Sequence, residues 1–261
     1  MPTTYTHDIF GKNVYQKLPE ELQSLIAGHM TAYRIGLHGP DILFYYKPFS
    51  ENKINEMGRR LHREKAAGFF KACKALVRTD EETAAYVLGF ICHYMLDSTC
   101  HPYIGEYMRK TGAAHDEIET DLDRVLMEMT GRDPFSYRPG AFITAGGELP
   151  SRLEKVFQGQ VSGREIRTAL RSMRFYTGIT VCRTNLKRYA LLELLKLLGG
   201  YDAMQGHVMR KKRCKRCIQS TQELQTRMRL AVPETVCILE EYWNTRYDDE
   251  YLNARFERNY E

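Results

Sequence analysis

The chain has 261 residues, 43% of them hydrophobic and 27% charged, with 38 Lys and Arg against 33 Asp and Glu for a formal net charge of +5. That is enough apolar material for one sizeable core, and no apolar run of about 18 residues supports a membrane span. Seven cysteines, an odd count spread from Cys73 to Cys237, fit reduced thiols better than a disulfide framework. The first thirty positions show no leader of basic, then apolar, then small residues, so the expected compartment is the cytoplasm.

Helical periodicity runs along most of the chain, and strand-like alternation is nearly absent. Helices are expected near 19–33, 52–77, 81–100, 114–130, 148–158, 164–198 and 217–246, some of them interrupted. Thr79-Asp80-Glu81-Glu82 and Ser162-Gly163-Arg164-Glu165 both fit a capping box, in which a hydroxyl and a Glu satisfy free amides at a helix start. Pro102 disfavours the α conformation at His101, which predicts an end or bend near Cys100. The segment from Asp133 to Gly147, with Pro134, Pro139, Gly140, Gly146 and Gly147, reads as a long loop. Gly199-Gly200 is further punctuation. The expectation is an all-α protein with a single multi-helix domain over 1–261, a ligand cluster within 7–119 and a helical C-terminal part over 148–261.

The chemistry concentrates between His93 and Glu119. His93, Asp97 and His101 recur at a spacing of four, and His115 and Glu119 repeat it, so each pair projects from one face of a helix. Imidazole and carboxylate on one face suit a borderline-soft cation such as zinc. Five side chains exceed one four-coordinate site that keeps a position open. The bend at Pro102 would turn His101 towards His115 and Glu119, giving one centre around His93 and Asp97 and a second around His101, His115 and Glu119. Upstream, His7, His38, Asp41 and His62 stand in contexts that could add ligands. Asp41 follows a Gly-Pro turn that can aim a short carboxylate inward. His38, three residues earlier, is a ligand, an outer partner that orients a carboxylate, or a turn residue. His29 and His207 carry no assigned role.

The order His7, Asp41, His62, then His93-x3-Asp97-x3-His101, then His115-x3-Glu119, resembles the zinc-dependent phospholipase C family. These are all-helical enzymes that include bacterial phosphatidylcholine-hydrolysing phospholipases and the clostridial alpha-toxin catalytic domain, and the S1/P1 nucleases share their fold and metal logic. In motif terms the resemblance covers roughly residues 1 to 130. It implies two or three zinc ions: one held by Asp41, His62, His93 and Asp97, a second by His101, His115 and Glu119, and a third by His7 with Asp97 bridging. It also implies that Asp41 doubles as general base. In secreted relatives the third zinc is bound in addition by an N-terminal tryptophan. The only tryptophan here is Trp243, so either the free amine of Met1 or Pro2 substitutes or the third metal is weaker.

The chemistry this resemblance implies is metal-assisted phosphodiester hydrolysis by activated water, with a phospholipid or related phosphodiester as substrate. Consistent with it, the sequence has no Gly-x-Ser-x-Gly elbow and no Walker-type phosphate loop. Two other readings stand beside it. One is a nuclease or nucleotide phosphohydrolase, for which His115-Asp116 superficially resembles an HD doublet. The other is a non-catalytic protein that holds zinc for folding. Arg210, Lys211, Lys212, Arg213, Lys215 and Arg216 form a basic run that is either a solvated face or a contact for an anionic membrane or nucleic acid. Cys214 and Cys217 form a lone Cys-x-x-Cys read as incidental. Phe44, Tyr45, Tyr46 and Phe49 are read as core, with a cationic head group as the alternative.

Overall fold

A computed structural model describes residues 4–201 and 205–260. Its centre is α6 (Glu81–Thr111), buried at every position from Thr83 to Ser98. A helix apolar all round has no solvent face, so it must be enclosed by neighbours. Those neighbours are α1 (Thr4–Tyr15), α3 (Met30–Gly36), α5 (Ala66–Val77), α7 (His115–Met129), α8 (Leu149–Val156) and α11 (Ile218–Asn244). The remaining helices are α2 (Glu20–Gly28), α4 (Lys53–Arg63), α9 (Gly163–Ile179) and α10 (Asn185–Leu197). No strand occurs among the described residues, and the fold is all-α.

Two local features bring the Asp41 segment onto α6. Gly36 of α3 and Gly89 of α6 let the helices meet backbone to backbone: a Cβ on Gly36 would lie 2.1 Å from the Tyr86 carbonyl oxygen, and one on Gly89 would lie 2.1 Å from that of Tyr33. Only glycine tolerates that approach. The chain then turns through Gly39, at φ +44°, into a short 3-10 segment, Gly39–Tyr45, that carries Asp41. Asn52 caps α4 by accepting from the Ile54 and Asn55 amides, at 3.1 and 3.0 Å, satisfying donors a helix start leaves free. Asn55 in turn donates to the carbonyls of Leu43 and Tyr46, at 2.7 and 3.0 Å, and braces the end of the 3-10 segment.

The chain's far end returns to the same core. Lys74, buried on α5, donates to the carbonyls of Thr245, Asp248 and Tyr251 at 2.8, 2.9 and 2.6 Å just beyond α11. From there Asn253 to Tyr260 cross α4, α5 and α6. The Ala66 amide donates to the Arg258 carbonyl at 3.0 Å, the Tyr260 amide donates to the His62 carbonyl at 3.1 Å, and the Tyr94 hydroxyl donates to the Arg255 carbonyl at 2.5 Å.

From Glu20 onward helix positions follow the sequence expectation, with breaks at His29, at Glu64-Lys65 and between Thr180 and Thr184, whereas α1, which carries His7, lies where no helix is expected. Ser162 and Glu165 form the expected capping box. At the other site the cap is Asp80 rather than Thr79, its carboxylate accepting from the Thr83 amide at 2.9 Å. The expected end near Cys100 is overturned, because α6 runs unbroken through Pro102 to Gly112, which closes it in the left-handed conformation. A proline costs about 3 kcal/mol inside a helix. Burial of Cys100, Ile104 and Tyr107 against the core offsets that cost and keeps the helix continuous. The 133–147 loop contains one 3-10 turn, Pro139–Phe142.

Candidate metal centre

Because α6 does not break, His93, Asp97 and His101 line one continuous face, and the second ligand pair comes to them on α7. His7, Asp41, His93 and Asp97 form one group whose ligand-type atoms all lie within 4.8 Å of one another, and His101, His115 and Glu119 form another. His62 joins the first group, its Nε2 at 3.1 Å from Asp41 Oδ1 and 4.0 Å from Asp97 Oδ2. Asp97 stands between the groups. Its Oδ1 is 3.3 Å from His7 Nε2 and 3.7 Å from His101 Nε2, while its Oδ2 is 3.2 Å from His93 Nε2. His115 Nε2 and His101 Nε2 lie 2.9 and 3.7 Å from Glu119 Oε1. The structure therefore gathers all eight residues singled out as ligands, although the route by which His101 meets His115 differs from expectation.

Two rings are held in orientation by backbone carbonyls. His62 Nδ1 bonds the Gly58 carbonyl at 2.8 Å, and His101 Nδ1 bonds the Tyr260 carbonyl at 3.1 Å. A carbonyl only accepts, so Nδ1 donates and Nε2 is left as the nitrogen that faces the carboxylates, protonated towards them in the absence of metal and open to an ion in its presence, as in metal-binding histidines generally. The Tyr260 ring packs against His62 and His93, with centroids 5.1 and 5.9 Å apart. At the start of α1, Asp123 of α7 accepts from the Thr6 amide and hydroxyl at 2.7 and 2.6 Å and from the Tyr5 amide at 3.3 Å, fixing the turn that presents His7. Of these supports only Gly58, four residues before His62 on one helix, had a signal in the sequence. Tyr260 and Asp123 act across the fold.

The electrostatics ask for positive charge. Asp41, Asp97 and Glu119 are buried together, and like charges in a low dielectric repel strongly unless compensated. Burial opposes the charged form of His7, but the carboxylate of Asp97 holds its ring above the ordinary value. Burial likewise opposes His62, which Asp41 raises. His101 is pushed up to about 9, against its own burial, by Asp97 and Glu119. Burial would raise Asp97 and Glu119, but the surrounding histidines hold both below the carboxylate range. Both oxygens of Asp41, both ring nitrogens of His93, Asp97 Oδ2, Glu119 Oε2 and His7 Nδ1 are buried without a hydrogen-bond partner. Orphaned acceptors of nitrogen and carboxylate type converging in a protein interior are the donor set zinc takes, so these residues fit the ion.

Other sequence readings resolve individually. His38 makes no hydrogen bond to a carboxylate among the described residues. It stacks on Phe142 at 5.7 Å, under the Arg34 guanidinium 3.8 Å from that ring, and burial pulls it well below its ordinary value, with the nearby His7, His93 and Arg34 charges adding to the effect. His29 pairs with Glu81 at 3.5 Å, and His207 lies in a short turn packed on α7. Asp116 stays outside both groups, accepting from the Glu117 amide at 3.0 Å and abutting Gly206, so the HD-like doublet has no counterpart in the site. Cys214 and Cys217 are free thiols outside both groups. In the basic run, Arg210 and Arg216 pair with Glu117, and Arg213 pairs with Asp121 at 2.6 Å. Phe44 stacks on His62 at 5.5 Å and Tyr45 is buried, whereas Phe49 is 62% exposed. The amines of Met1 and Pro2 lie outside the described residues.

With the geometry in place, the comparison with known proteins is direct. The zinc-dependent phospholipase C family matches residues 6–163, more than half of the chain and every residue from His7 to Glu119. The chain belongs to the zinc-dependent phospholipase C family. No curated protein and no solved structure matches it. Among the described residues no helix is long and apolar enough to cross a membrane.

Proposed function

We propose that the protein is a zinc-dependent phosphodiester hydrolase that cuts a phospholipid on the glycerol side of the phosphate, or the equivalent bond of a related phosphodiester. The observation that carries this reading is the convergence of buried, unpartnered Asp41, His93, Asp97 and Glu119 atoms in a chain of this family. Asp41, His62, His93 and Asp97 would hold one zinc, His101, His115 and Glu119 a second, and His7 with Asp97 a third. Bound zinc supplies Lewis acidity to a phosphoryl oxygen and lowers the pKa of water towards about 7.

The protein's own groups do the rest. Asp41 takes the proton of the attacking water as the new P–O bond forms and the P–O bond to the glycerol oxygen breaks, and the departing alkoxide takes a proton from solvent to leave as the alcohol. The Gly58 and Tyr260 carbonyls keep His62 and His101 aimed at the carboxylates. A cleft is lined by Thr4 of α1, Tyr45 of the Asp41 segment and Asp123 of α7, with Tyr137, Tyr176 and His207. It draws on the elements that carry His7, Asp41 and Glu119.

The test combines metal content with turnover. Elemental analysis should find two or three zinc ions per chain, with Asp97→Asn losing more than any other single ligand substitution and Asp41→Asn lowering turnover while retaining zinc at the second group. Zinc-loaded protein should cleave a monomeric short-chain phosphatidylcholine and bis(para-nitrophenyl) phosphate, and in labelled water one labelled oxygen should enter the phosphomonoester. Fewer than one zinc per chain sinks the reading, and cleavage of single-stranded DNA with none of the lipid replaces it with the nuclease.

A further inference from the structure

The α9–α10 pair departs from the rest of the surface in both polarity and charge. Six of the twelve exposed large apolar side chains among the described residues fall between 175 and 198: Phe175, Leu186, Tyr189, Leu194, Leu197 and Leu198, from 48% to 84% exposed. Only Leu195 of α10 is buried. Leu186, Ala190, Leu194 and Leu197 recur at intervals of four, four and three, so they share one face of the helix, with Lys187 about 65° to one side of its centre and Lys196 about 115° to the other. So many large apolar side chains left exposed within one short stretch call for a partner.

The charge identifies the partner. Residues 163–198 hold eight basic side chains and two acidic ones, a net of +6 in a chain whose total is +5, so the remainder is close to neutral. Of those eight, only Lys196 is ion-paired among the described residues, with Glu193 at 2.7 Å. The run at 210–216, by contrast, commits three arginines to α7. At its end α10 adjoins the aromatic residues beside the site: a Cβ on Gly200 would lie 3.5 Å from the Phe49 ring and 3.7 Å from Leu195. Phe175 meets Tyr176 edge-on at 5.2 Å, Tyr176 meets Phe49 at 5.8 Å, and Tyr176 lines the cleft beside Tyr45 and Asp123.

We propose that α10, with Phe175 and Phe49, is an interfacial anchor that lies in the head-group layer of an anionic bilayer and sets the cleft against it. An apolar strip flanked by lysines and backed by unpaired arginines has the composition of a helix lying in the plane of a membrane surface. Each basic side chain near such a surface adds attraction that salt screens. The anchor rests on the hydrolase reading only for its purpose, since binding is measured without turnover.

The test is co-sedimentation of the zinc-loaded protein with vesicles of phosphatidylcholine alone and of phosphatidylcholine with phosphatidylglycerol at 3:1, beside turnover of bis(para-nitrophenyl) phosphate. The wild type should partition at least about tenfold more strongly into the anionic vesicles. L186S/L194S/L197S should lose at least about tenfold of that binding and keep soluble-substrate turnover. R171E/K187E, which changes no apolar residue, should lose the preference for anionic vesicles. Failure of the wild type to sediment, equal partition into both vesicles, or a wild-type dimer that the triple substitution dissolves would overturn the anchor. Loss of soluble turnover in every protein, with binding intact, would count against the hydrolase reading while upholding the anchor.

Discussion

At the scale of single residues the site is a problem in charge compensation, and that has a measurable consequence once metal is removed. In the stripped protein the histidines are the cations that the buried carboxylates have. His101 rises from its ordinary 6.5 to about 9 through Asp97 and Glu119, and His7 and His62 are raised through Asp97 and Asp41. A histidine raised on folding contributes stability that is complete below its unfolded value and is lost as pH climbs through the folded one. Asp97 and Glu119, lowered from 3.8 and 4.5, act in the opposite sense, their share being lost as pH falls through their folded values. Chelator-treated protein should therefore weaken steadily from about pH 6.5 towards pH 9. Zinc should flatten the alkaline limb, because the cation takes over the role of the imidazolium charge. Thermal denaturation of both forms across that range checks this, and a stripped protein that gains stability from pH 6.5 to 9 contradicts it.

At the scale of elements, the candidate ligands were legible and the way they meet was not. His93, Asp97, His115 and Glu119 declare themselves by i, i+4 spacing, a purely local property of helices. The role of Pro102 could not be read locally, because the packing of Cys100, Ile104 and Tyr107 outweighs a proline's local cost. Nor does a sequence distinguish Gly89, wedged against the Tyr33 carbonyl, from Gly68 in α5, which has no heavy atom within 4 Å of an added Cβ. The two glycines should answer oppositely to alanine. Gly89→Ala forces α3 away from α6 and should destabilise by about 3 kcal/mol, the upper part of the range for overpacking. Gly68→Ala should stabilise by about 0.5 kcal/mol through helix propensity. Urea denaturation of the pair measures both signs, and equal effects would mean that the α3–α6 contact is not backbone to backbone.

At the scale of the whole molecule, the site is completed by the end of the chain, more than 140 residues beyond Glu119. The Tyr260 carbonyl receives His101 Nδ1, its amide holds the His62 carbonyl, and its ring stands against His62, His93 and Tyr94. Lys74 fixes the path that delivers it by gathering three carbonyls between Thr245 and Tyr251. Partners that orient metal-binding histidines commonly account for 10- to 100-fold in affinity, so a residue that orients one ring and walls two others should weaken zinc binding on the order of tenfold or more when truncated. Tyr260→Ala removes the wall and frees the segment carrying the carbonyl. Tyr260→Phe keeps both and should bind zinc within about twofold of wild type, because the ring and backbone rather than the hydroxyl do the positioning. Competition against a chromophoric zinc chelator reads the affinities, with circular dichroism confirming that each variant is folded. Wild-type affinity in folded Tyr260→Ala would show that the segment is only a cover, whereas loss in Tyr260→Phe would move the role to the hydroxyl.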